Sequence, residues 1–429
     1  MKVKLSEYNP EWVQLFREEK ERIAEKLGNK IVTIEHIGST SVSGLGAKPI
    51  VDILLGVRKI SDADEFIPKM EELGYEYRNH FENVMPYRRY FTKPEHYHVH
   101  TVEVTSEFWR RHLLFRDYLR AHDDKRNEYN KLKKELAERE WNDVNDYAYA
   151  KTDFIKKIEK DALNEFALLT EKAECNALYE MYSNVSEETK KICGIQTKRL
   201  GPAALIRTDI FPGFSHNRVS GLGLETPLNV NTVKEIREFY SPRKNKHALQ
   251  LDPSVLTGDT LQILSKYGYE FKNNWVRFYR DTAPLENVRT DLKIKSVGNE
   301  FLNEYSSLIT TTFGFPAELN SLFEPVMEDK NWKHYMAFDS GTPVSAGSVY
   351  FSRDTAWIGF AATKPEYRGR GAQGAILKER IDEARKRGCK WIAVETAEDT
   401  SEHDAPSYRN MLRYGFRLLY KRPNYVFEP

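Results

Sequence analysis

Cysteine is scarce in this chain of 429 residues, with only Cys175, Cys193 and Cys389, which lie far apart in the sequence. Their spacing matches neither a zinc site nor a disulfide framework, and this favours a reducing compartment. No apolar run approaches the ~20 residues that a membrane-spanning helix requires, and the N-terminal segment has no apolar signal region. A formal net charge of +1 gives no support to a nucleic-acid-binding surface. These absences predict a cytoplasmic protein whose partners include neither membrane nor nucleic acid.

The composition is that of a chain with several folded domains. Apolar residues make up 40% and charged residues 30%, with 24 Tyr and 22 Phe, which is enough to fill cores. At roughly 100–200 residues per domain, the length suggests two to four domains. A change of pattern and an internal repeat predict boundaries that give 1–165, 166–286 and 287–429.

The first of these regions is predicted to be α+β. Apolar residues recur at helical spacing from Trp12 to Leu27, and Gly28 ends the run. Apolar or β-branched segments predict three strands, at 31–37, 49–55 and 97–104. From Trp109 to about Lys160 the pattern is helical. We therefore expect a mixed sheet followed by a helical tail.

A turn of small residues near the first strand suggests a nucleotide site. Gly38 and Ser39 precede Asp52 with the spacing seen in the nucleotidyltransferase fold, where such a turn holds a triphosphate. In that fold, carboxylates at alternate strand positions bind metal ions. Here position 54 is Leu, and Glu103 is the candidate for a third carboxylate.

More widely, residues 1–160 resemble the GrpB-like family, whose fold is nucleotidyltransferase-like. The resemblance rests on three segments: IEHIGSTSVSGLGAKPIVDILLGV, the HVH stretch and FRDYLRAHDDKRNEYNKLKKELA. It implies a nucleotide site at Gly38, Ser39, Lys48 and Asp52, with ATP and magnesium as candidate ligands. His96, His98 and His100 alternate along one strand and raise a metal hypothesis, but we expect ordinary strand histidines and no metal site.

The rest of the chain contains a repeat. Lys266-Tyr267-Gly268-Tyr269 and Arg413-Tyr414-Gly415-Phe416 align without a gap, each after an amphipathic helix and each before an apparent strand pair. Such a repeat predicts two copies of one α/β unit, over about 170–285 and 287–429.

The strongest chemical signal lies in the second copy. A strand over 357–363 is followed by Arg368-Gly369-Arg370-Gly371-Ala372-Gln373-Gly374 and then by a helix. A first helical turn has free N–H groups and a positive dipole end, and glycines let the backbone approach a pyrophosphate. The loop is neither a P-loop nor a dinucleotide fingerprint, because the residues that those motifs need are missing.

Residues 287–429 resemble the GNAT family of acetyl-CoA-dependent N-acyltransferases. The family pattern Arg/Gln-x-x-Gly-x-Gly/Ala is met by Arg368 and Gly371, with Gln373 in place of the last small residue. The resemblance implies that the cofactor lies on the loop and on the strand before it. The implied contacts are Phe360, Ala361, Thr363, Arg368, Gly369, Arg370, Gly371, Ala372, Gln373, Gly374 and Asn410.

The family's chemistry needs a base for the amine and a proton for the departing thiolate. Glu395, at the end of the following strand, and Glu318 are the candidate bases. The family's tyrosine four residues before the Gly-Phe pair is here Met411, so Tyr408 is the candidate acid, with water-assisted departure as the alternative. The middle unit has no Arg-x-x-Gly loop, and we expect no cofactor site there.

The main hypothesis is an acetyl-CoA-dependent N-acetyltransferase that acts on a small amine, with an amine-bearing antibiotic as one candidate acceptor. A second hypothesis is nucleotidyl or phosphoryl transfer with ATP and magnesium in the N-terminal region. A third is a non-catalytic sensor of acyl-CoA or nucleotide. The sequence identifies neither the acceptor nor the oligomeric state.

Overall fold

A computed structural model describes residues 2–94, 96–243, 245–286 and 288–429. Residue 287, the predicted start of the last domain, lies outside them. The chain forms two compact units, Met1–Glu165 and Phe166–Pro429. Within the described residues, no helix is long and apolar enough to cross a membrane.

The first unit contains a five-stranded mixed sheet. Its strands are β1 (Thr33–Ile37), β2 (Val51–Val57), β3 (Glu76–Tyr77), β4 (Arg88–Lys93) and β5 (Tyr97–Glu103). Its helices are α1 (Glu11–Leu27), α2 (Ile67–Glu72), α3 (Glu107–Ala121), α4 (Asp123–Ala137) and α5 (Val144–Tyr149), while α6 (Thr152–Ser183) continues past residue 165. The strand order is β1-β2-β5-β4-β3. Strands β2 and β5 are parallel, and Asp52 is paired with His98.

Local signals account for the first helix. Asn9 Oδ1 accepts a hydrogen bond from the Glu11 amide at 3.0 Å, and Pro10 occupies the N-cap. Gly28 ends the helix with a φ of 72°, a conformation that suits glycine. The apolar face of α1 buries Trp12, Ile23 and Leu27 against the sheet's core. The sequence thus predicted the end of α1 at Gly28 correctly.

The second unit is built on one continuous sheet of eleven strands. The strands are β6 (Gln196–Leu200), β7 (Ala203–Arg207), β8 (Arg218–Leu222), β9 (His247–Leu251), β10 (Tyr269–Asp281), β11 (Lys293–Val297), β12 (Trp332–Asp339), β13 (Thr342–Ser352), β14 (Thr355–Thr363), β15 (Trp391–Ala397) and β16 (Arg417–Phe427). The helices are α7 (Glu187–Cys193), α8 (Val230–Tyr240), α9 (Gly258–Lys266), α10 (Leu302–Phe313), α11 (Ala372–Lys386) and α12 (Pro406–Arg413). Mixed sheets with flanking helices in both units confirm the predicted fold class.

The two halves of this sheet exchange their last strands. The order is β11-β12-β13-β14-β15-β10-β16-β9-β8-β7-β6. Strand β10 therefore completes the half formed by β11–β15, and β16 completes the half formed by β6–β9. Neither half has a complete sheet by itself, so the boundary near 286 remains a prediction from the sequence repeat.

The repeat itself has a structural counterpart. Gly268 and Gly415 follow equivalent helices with φ angles of 77° and 75°. The predicted strand pair after each glycine is wrong, because one long strand, β10 or β16, follows instead, and these two strands pair with each other. Hydrogen bonding between the copies replaces pairing within each copy.

Candidate functional site

A cleft opens where β14 and β15 separate. These parallel strands are paired from Thr355↔Trp391 to Ile358↔Val394. Beyond this point β14 has an irregularity against β13, and Phe360 adopts a φ of 51°, which is uncommon for a residue other than glycine. The bulge turns β14 away from β15, and its backbone past Ile358 has no partner on β15 in the described ladder. This geometry leaves peptide groups available to a ligand.

Two adjoining cavities form a groove along this opening. The first measures about 440 Å³ and the second about 500 Å³. The first is lined by the strand ends, including Phe360, Ala361 and Glu395. The second is lined by the predicted loop residues Thr363, Arg368, Gly369, Gly371, Ala372, Gln373 and Gly374. Both are bordered by Ala361, Gln373, Ser407, Asn410 and Tyr414, so they are continuous.

The glycine-rich loop ends in an uncapped helix. Gly369 and Gly371 have φ angles of 81° and 79°, and Gly371 is the N-cap of α11 with no side-chain capping bond. The first turn of α11 therefore offers N–H groups to the second cavity. The exposed Arg368 adds positive charge. This donor set fits a pyrophosphate group, as acetyl-CoA carries.

Two predicted cofactor contacts have side chains that are used within the protein. Arg370 forms ion pairs with Asp291 and with Asp339, the latter at 2.9 Å. The amide of Gln373 donates to Ser345 Oγ at 2.8 Å and to the Ala362 carbonyl at 2.9 Å. Both side chains hold the loop on the sheet. Gln373 also lines both cavities, whereas Arg370 is not among the described residues that line them.

Glu395 lies at the junction of the groove and a buried ion-pair network. The network joins three carboxylates to three guanidinium groups: Glu171, Glu174, Glu395, Arg218, Arg277 and Arg422. Glu395 pairs with Arg422 and, at 3.4 Å, with Arg218. Arg277 and Arg422 are fully buried. The network spans both halves of the sheet, because Arg218 is in β8 and Arg422 is in β16, whereas Glu395 is in β15 and Arg277 is in β10.

Burial is the main influence on the protonation of Glu395. It raises the pKa of this carboxyl, and the nearby Glu174 carboxylate raises it further, against the opposing effect of Arg422, Arg277 and Arg218. A carboxylate with a raised pKa is a stronger proton acceptor than an exposed one. Glu395 therefore combines access to the cleft with increased basicity.

The other two predicted catalytic residues lie elsewhere. Tyr408 is buried with its ring 5.1 Å from that of Phe278, and burial raises its pKa to about 12. Glu318 is exposed. Among the described residues that line either cavity, neither appears. The structure thus does not bring Tyr408 or Glu318 together with Glu395.

Sequence reasoning predicted Asn410 as a contact but missed Ser407 and Tyr414, which also line the groove. Helix α12 presents Ser407, Asn410, Met411 and Tyr414 to it, at the i, i+3, i+4 and i+7 positions of one helical face. This spacing can be recognised in the sequence. It places Tyr408 off the helical face that lines the groove. Gly374 lets Tyr414 approach α11 closely, because a Cβ at this position would lie 2.0 Å from Tyr414 Oη and the tyrosine would have to move.

One wall of the first cavity is aromatic. Trp275 of β10 and Phe313 of α10 line it together with Phe360. Trp275 packs against Phe214, at a ring distance of 5.8 Å, so the loop that contains Phe214 lies beside this wall. Trp275 comes from the exchanged strand, which no local pattern in the sequence reveals.

The corresponding opening in the first half is closed. A Cβ on Gly221 would lie 2.7 Å from Cys175 Sγ, and one on Gly223 would lie 2.6 Å from Val255. The first turn of α8 is already capped, because Asn229 Oδ1 accepts hydrogen bonds from the amides of Asn231 and Thr232. The first turn of α8 is therefore not free to bind a phosphate.

A separate cavity of about 480 Å³ lies in the first unit. It is lined by Ser39, Thr40, Lys48, Asp52, His98, Lys133, Tyr147 and Lys151, among others. Gly38 has a φ of 70°, and its Cα approaches Asp52 so closely that a Cβ would lie 2.3 Å from Oδ2. The predicted Gly38, Ser39, Lys48 and Asp52 therefore do come together.

Glu103 does not join them. In the β2–β5 ladder Glu103 is opposite Val57, five positions from the Asp52↔His98 pair, and its carboxylate accepts a hydrogen bond from the Ile60 amide. His98 Nδ1 lies 3.5 Å and His100 Nε2 lies 4.0 Å from Asp52 Oδ1, and the half-buried His100 also packs on Tyr90. Among the described residues, no group of three or more Asp, Glu, His or Cys side chains is arranged to hold a metal ion.

Comparison with known proteins matches both parts of the chain. The model of the family described as GrpB protein matches residues 2–161, and that of the Acetyltransferase (GNAT) family matches residues 300–416. The UPF0157 protein YqkA of Bacillus subtilis is 43% identical over 164 residues, which are 38% of this chain and 47% of YqkA. The match thus spans about half of that relative's length.

Two further relatives match one part each. A UPF0157 protein of Halalkalibacterium halodurans is 39% identical over 160 residues, which are 37% of this chain and 82% of the relative. A GCN5-related N-acetyltransferase from Kribbella flavida is similar in structure, with 12% identity, a TM-score of 0.43, and coverage of 61% of this chain and 96% of that one. The match to the acetyltransferase family supports a general acyltransferase activity, and that family generally uses acetyl-CoA. The chain therefore belongs to the GrpB (UPF0157) family through its N-terminal region and carries a GNAT acetyltransferase domain in its C-terminal region.

Proposed function

We propose that the second unit transfers an acetyl group from acetyl-CoA to the amine of a small molecule. The observation that carries this proposal is the continuous groove from the uncapped first turn of α11 to Glu395. One end offers N–H groups suited to phosphates, and the other holds a basic carboxylate beside an aromatic wall. This arrangement supports both donor binding and acceptor activation in one site.

The chain's own residues would hold the donor along β14. The first turn of α11 and Arg368 would bind phosphates, and the unpaired backbone of Phe360 and Ala361 would hydrogen-bond the pantetheine. Asn410, which borders both cavities, supplies a side-chain amide at the point where they meet. When bound, acetyl-CoA supplies the thioester that the amine attacks.

Glu395 would act as the general base, directly or through a water molecule. An ammonium group must lose its proton before nitrogen attacks, and a buried carboxylate with a raised pKa favours that transfer. Trp275 and Phe313 would exclude water and contact the apolar part of the acceptor. Met411 has no ionisable proton, so the second proton that the attacking nitrogen loses would pass through water to the leaving thiolate.

A thiol-release assay with acetyl-CoA over a panel of primary amines, aminoglycosides included, tests this function. We expect acetylated product and free CoA in equal amounts for at least one acceptor class. Absence of product across the panel, with acetyl-CoA bound, would favour the sensor hypothesis instead. Dependence of turnover on ATP and magnesium would favour chemistry in the first unit.

Glu395→Gln is expected to lower kcat/KM by about 100-fold or more, the range of a lost general base. The base works deprotonated, so wild-type kcat/KM falls as pH falls through the pKa of Glu395. Because this pKa is raised, the acidic limb of the pH profile, where kcat/KM falls, lies at a pH above the usual glutamate pKa of about 4.3. We expect the limb to be missing from the pH profile of the variant.

Glu318→Gln is the matched control, since Glu318 is exposed and away from the groove. It should leave both kcat/KM and the profile unchanged. The acceptor's own amine titrates equally in all three proteins, so the difference between profiles reports the enzyme's base. An unaltered profile in Glu395→Gln, or loss of activity in Glu318→Gln, contradicts the assignment.

A further inference from the structure

The cavity of the first unit has a cationic donor set. Lys48, Lys133 and Lys151 line it, with Asp52 as its carboxylate. They come from a loop, from α4 and from the residue before α6, so the fold gathers them from distant parts of the sequence. Three ammonium groups facing one carboxylate leave an excess of positive charge in a partly enclosed space.

Lys133 is the most deeply placed of the three. Its side chain is 2% exposed, and its Nζ donates to Ser39 Oγ at 2.8 Å and to the Gly46 carbonyl. Burial and the charge of Lys151 lower the pKa of Lys133 to about 7. A buried ammonium group without a carboxylate in its hydrogen-bonding shell is costly, and an anion in the cavity offsets that cost.

The two outer lysines share one aromatic ring. Lys48 Nζ lies 5.3 Å and Lys151 Nζ lies 4.4 Å from the ring centre of Tyr147. The ring thereby holds two like charges near each other at the cavity wall. Burial and the charge of Lys48 lower the pKa of Lys151 to about 8, and the same mutual repulsion favours a bridging anion.

This donor set does not suit the magnesium ions that a nucleotidyltransferase-like fold implies. Magnesium binds carboxylate, phosphate and water oxygens, and paired ions need several carboxylates. Asp52 supplies one, the alternate position on β2 is the buried Leu54, and Glu103 lies at the far end of the ladder. Ammonium groups occupy the space where further acidic ligands would be needed.

We propose that this cavity binds a ligand with two or more linked phosphates, and that it does so without a divalent cation. Lys48, Lys133 and Lys151 neutralise the phosphate oxygens, and the Gly38–Ser39 turn contributes its backbone. The site is one of binding, with no transfer step. It is independent of the acyltransferase groove proposed above.

Titration calorimetry of the full chain with pyrophosphate and with ATP, in buffer containing EDTA, tests this proposal. We expect binding of both, unchanged when magnesium replaces EDTA or weakened as magnesium complexes the ligand. Equal affinities would mean that the cavity recognises phosphates alone, and tighter ATP binding would mean that the nucleoside also makes contacts. A strict requirement for magnesium would overturn the proposal.

Lysine variants locate the site. Lys48→Met, Lys133→Met and Lys151→Met should each weaken pyrophosphate binding by about ten-fold or more, the scale of a lost charge-assisted bond. Lys131→Met is the control, since Lys131 is on α4 with 80% of its side chain exposed. If Lys133→Met fails to fold, the pyrophosphate affinities of Lys48→Met and Lys151→Met still test the assignment. Affinity that survives these lysine changes, or is lost in Gly371→Glu instead, contradicts the assignment.

Discussion

Gly371→Glu is expected to weaken acetyl-CoA binding by about 100-fold or more. Gly371 has a φ of 79°, and a Cβ there would lie 2.1 Å from the Arg289 carbonyl oxygen, so any side chain displaces the loop. A left-handed backbone costs a residue other than glycine about 1–2 kcal/mol. The glutamate also sets a negative charge at the helix end where phosphates are expected. Calorimetry with acetyl-CoA measures the loss of affinity.

Gly388→Glu provides a matched control for this change. Gly388 follows α11 at its other end, has a φ of 80°, and has no atom within 4 Å of an added Cβ. It therefore carries the same backbone strain and the same charge, far from the phosphate end of the helix. We expect near-normal affinity in this variant. Equal effects at both positions would mean that general destabilisation, and not the loop, explains the loss.

Arg422→Met is expected to destabilise the second unit by about 3–5 kcal/mol, the usual cost of breaking a buried ion pair from one side. Arg422 is fully buried and bonds Glu171 at 2.6 Å, Glu174 at 2.7 Å, and Glu395. Its removal leaves three carboxylates with two guanidinium groups, Arg218 and Arg277. Chemical denaturation, followed by circular dichroism, measures the change in the free energy of unfolding.

Two further variants test whether the destabilisation by Arg422→Met is specific to the buried network or is common to the loss of any ion pair. Asp382→Ala removes a partly exposed partner of Lys378 in α11, and we expect a change below about 1 kcal/mol. Combining Arg422→Met with Glu174→Leu removes one charge of each sign, so the double variant should be less destabilised than the sum of the single changes. Strict additivity would contradict a coupled network.

The loop at 368–374 was predictable because its chemistry is local. Strand, glycines and helix follow one another in sequence, and the positive φ angles fall at Gly369 and Gly371. Gln373 was read as a departure at a cofactor contact. Its amide instead bonds β13 and β14, which depends on strands that lie 10 to 28 residues away.

The ion-pair network was beyond reach of sequence reasoning. Glu174, Arg277 and Arg422 lie more than 100 residues apart and meet only because β10 and β16 are exchanged between the halves. Glu395 was chosen as a base for its place at a strand end. The arginines that lower its pKa reach it only because the two halves exchange strands. A sequence repeat reveals two copies but not which copy receives each strand.

In the first unit, too, contacts between sequence neighbours could be predicted, whereas contacts between distant segments could not. Gly38, Ser39 and Asp52 could be predicted to meet because turn and strand are neighbours in sequence. Glu103 could not be placed, since its distance from Asp52 depends on the β2–β5 register. Lys133 and Lys151 belong to a helical region that reads as a solvated charged surface, and only tertiary packing brings them to the cavity.

Titration of the full chain with acetyl-CoA, in the absence of ATP, tests the central claim most directly. We expect one site per chain with affinity in the micromolar range, because the groove beside α11 is open, whereas Gly221 and Gly223 in the first half pack closely against Cys175 and Val255. Absence of binding would contradict the acetyltransferase proposal. Two equivalent sites per chain would contradict the assignment of a single working half.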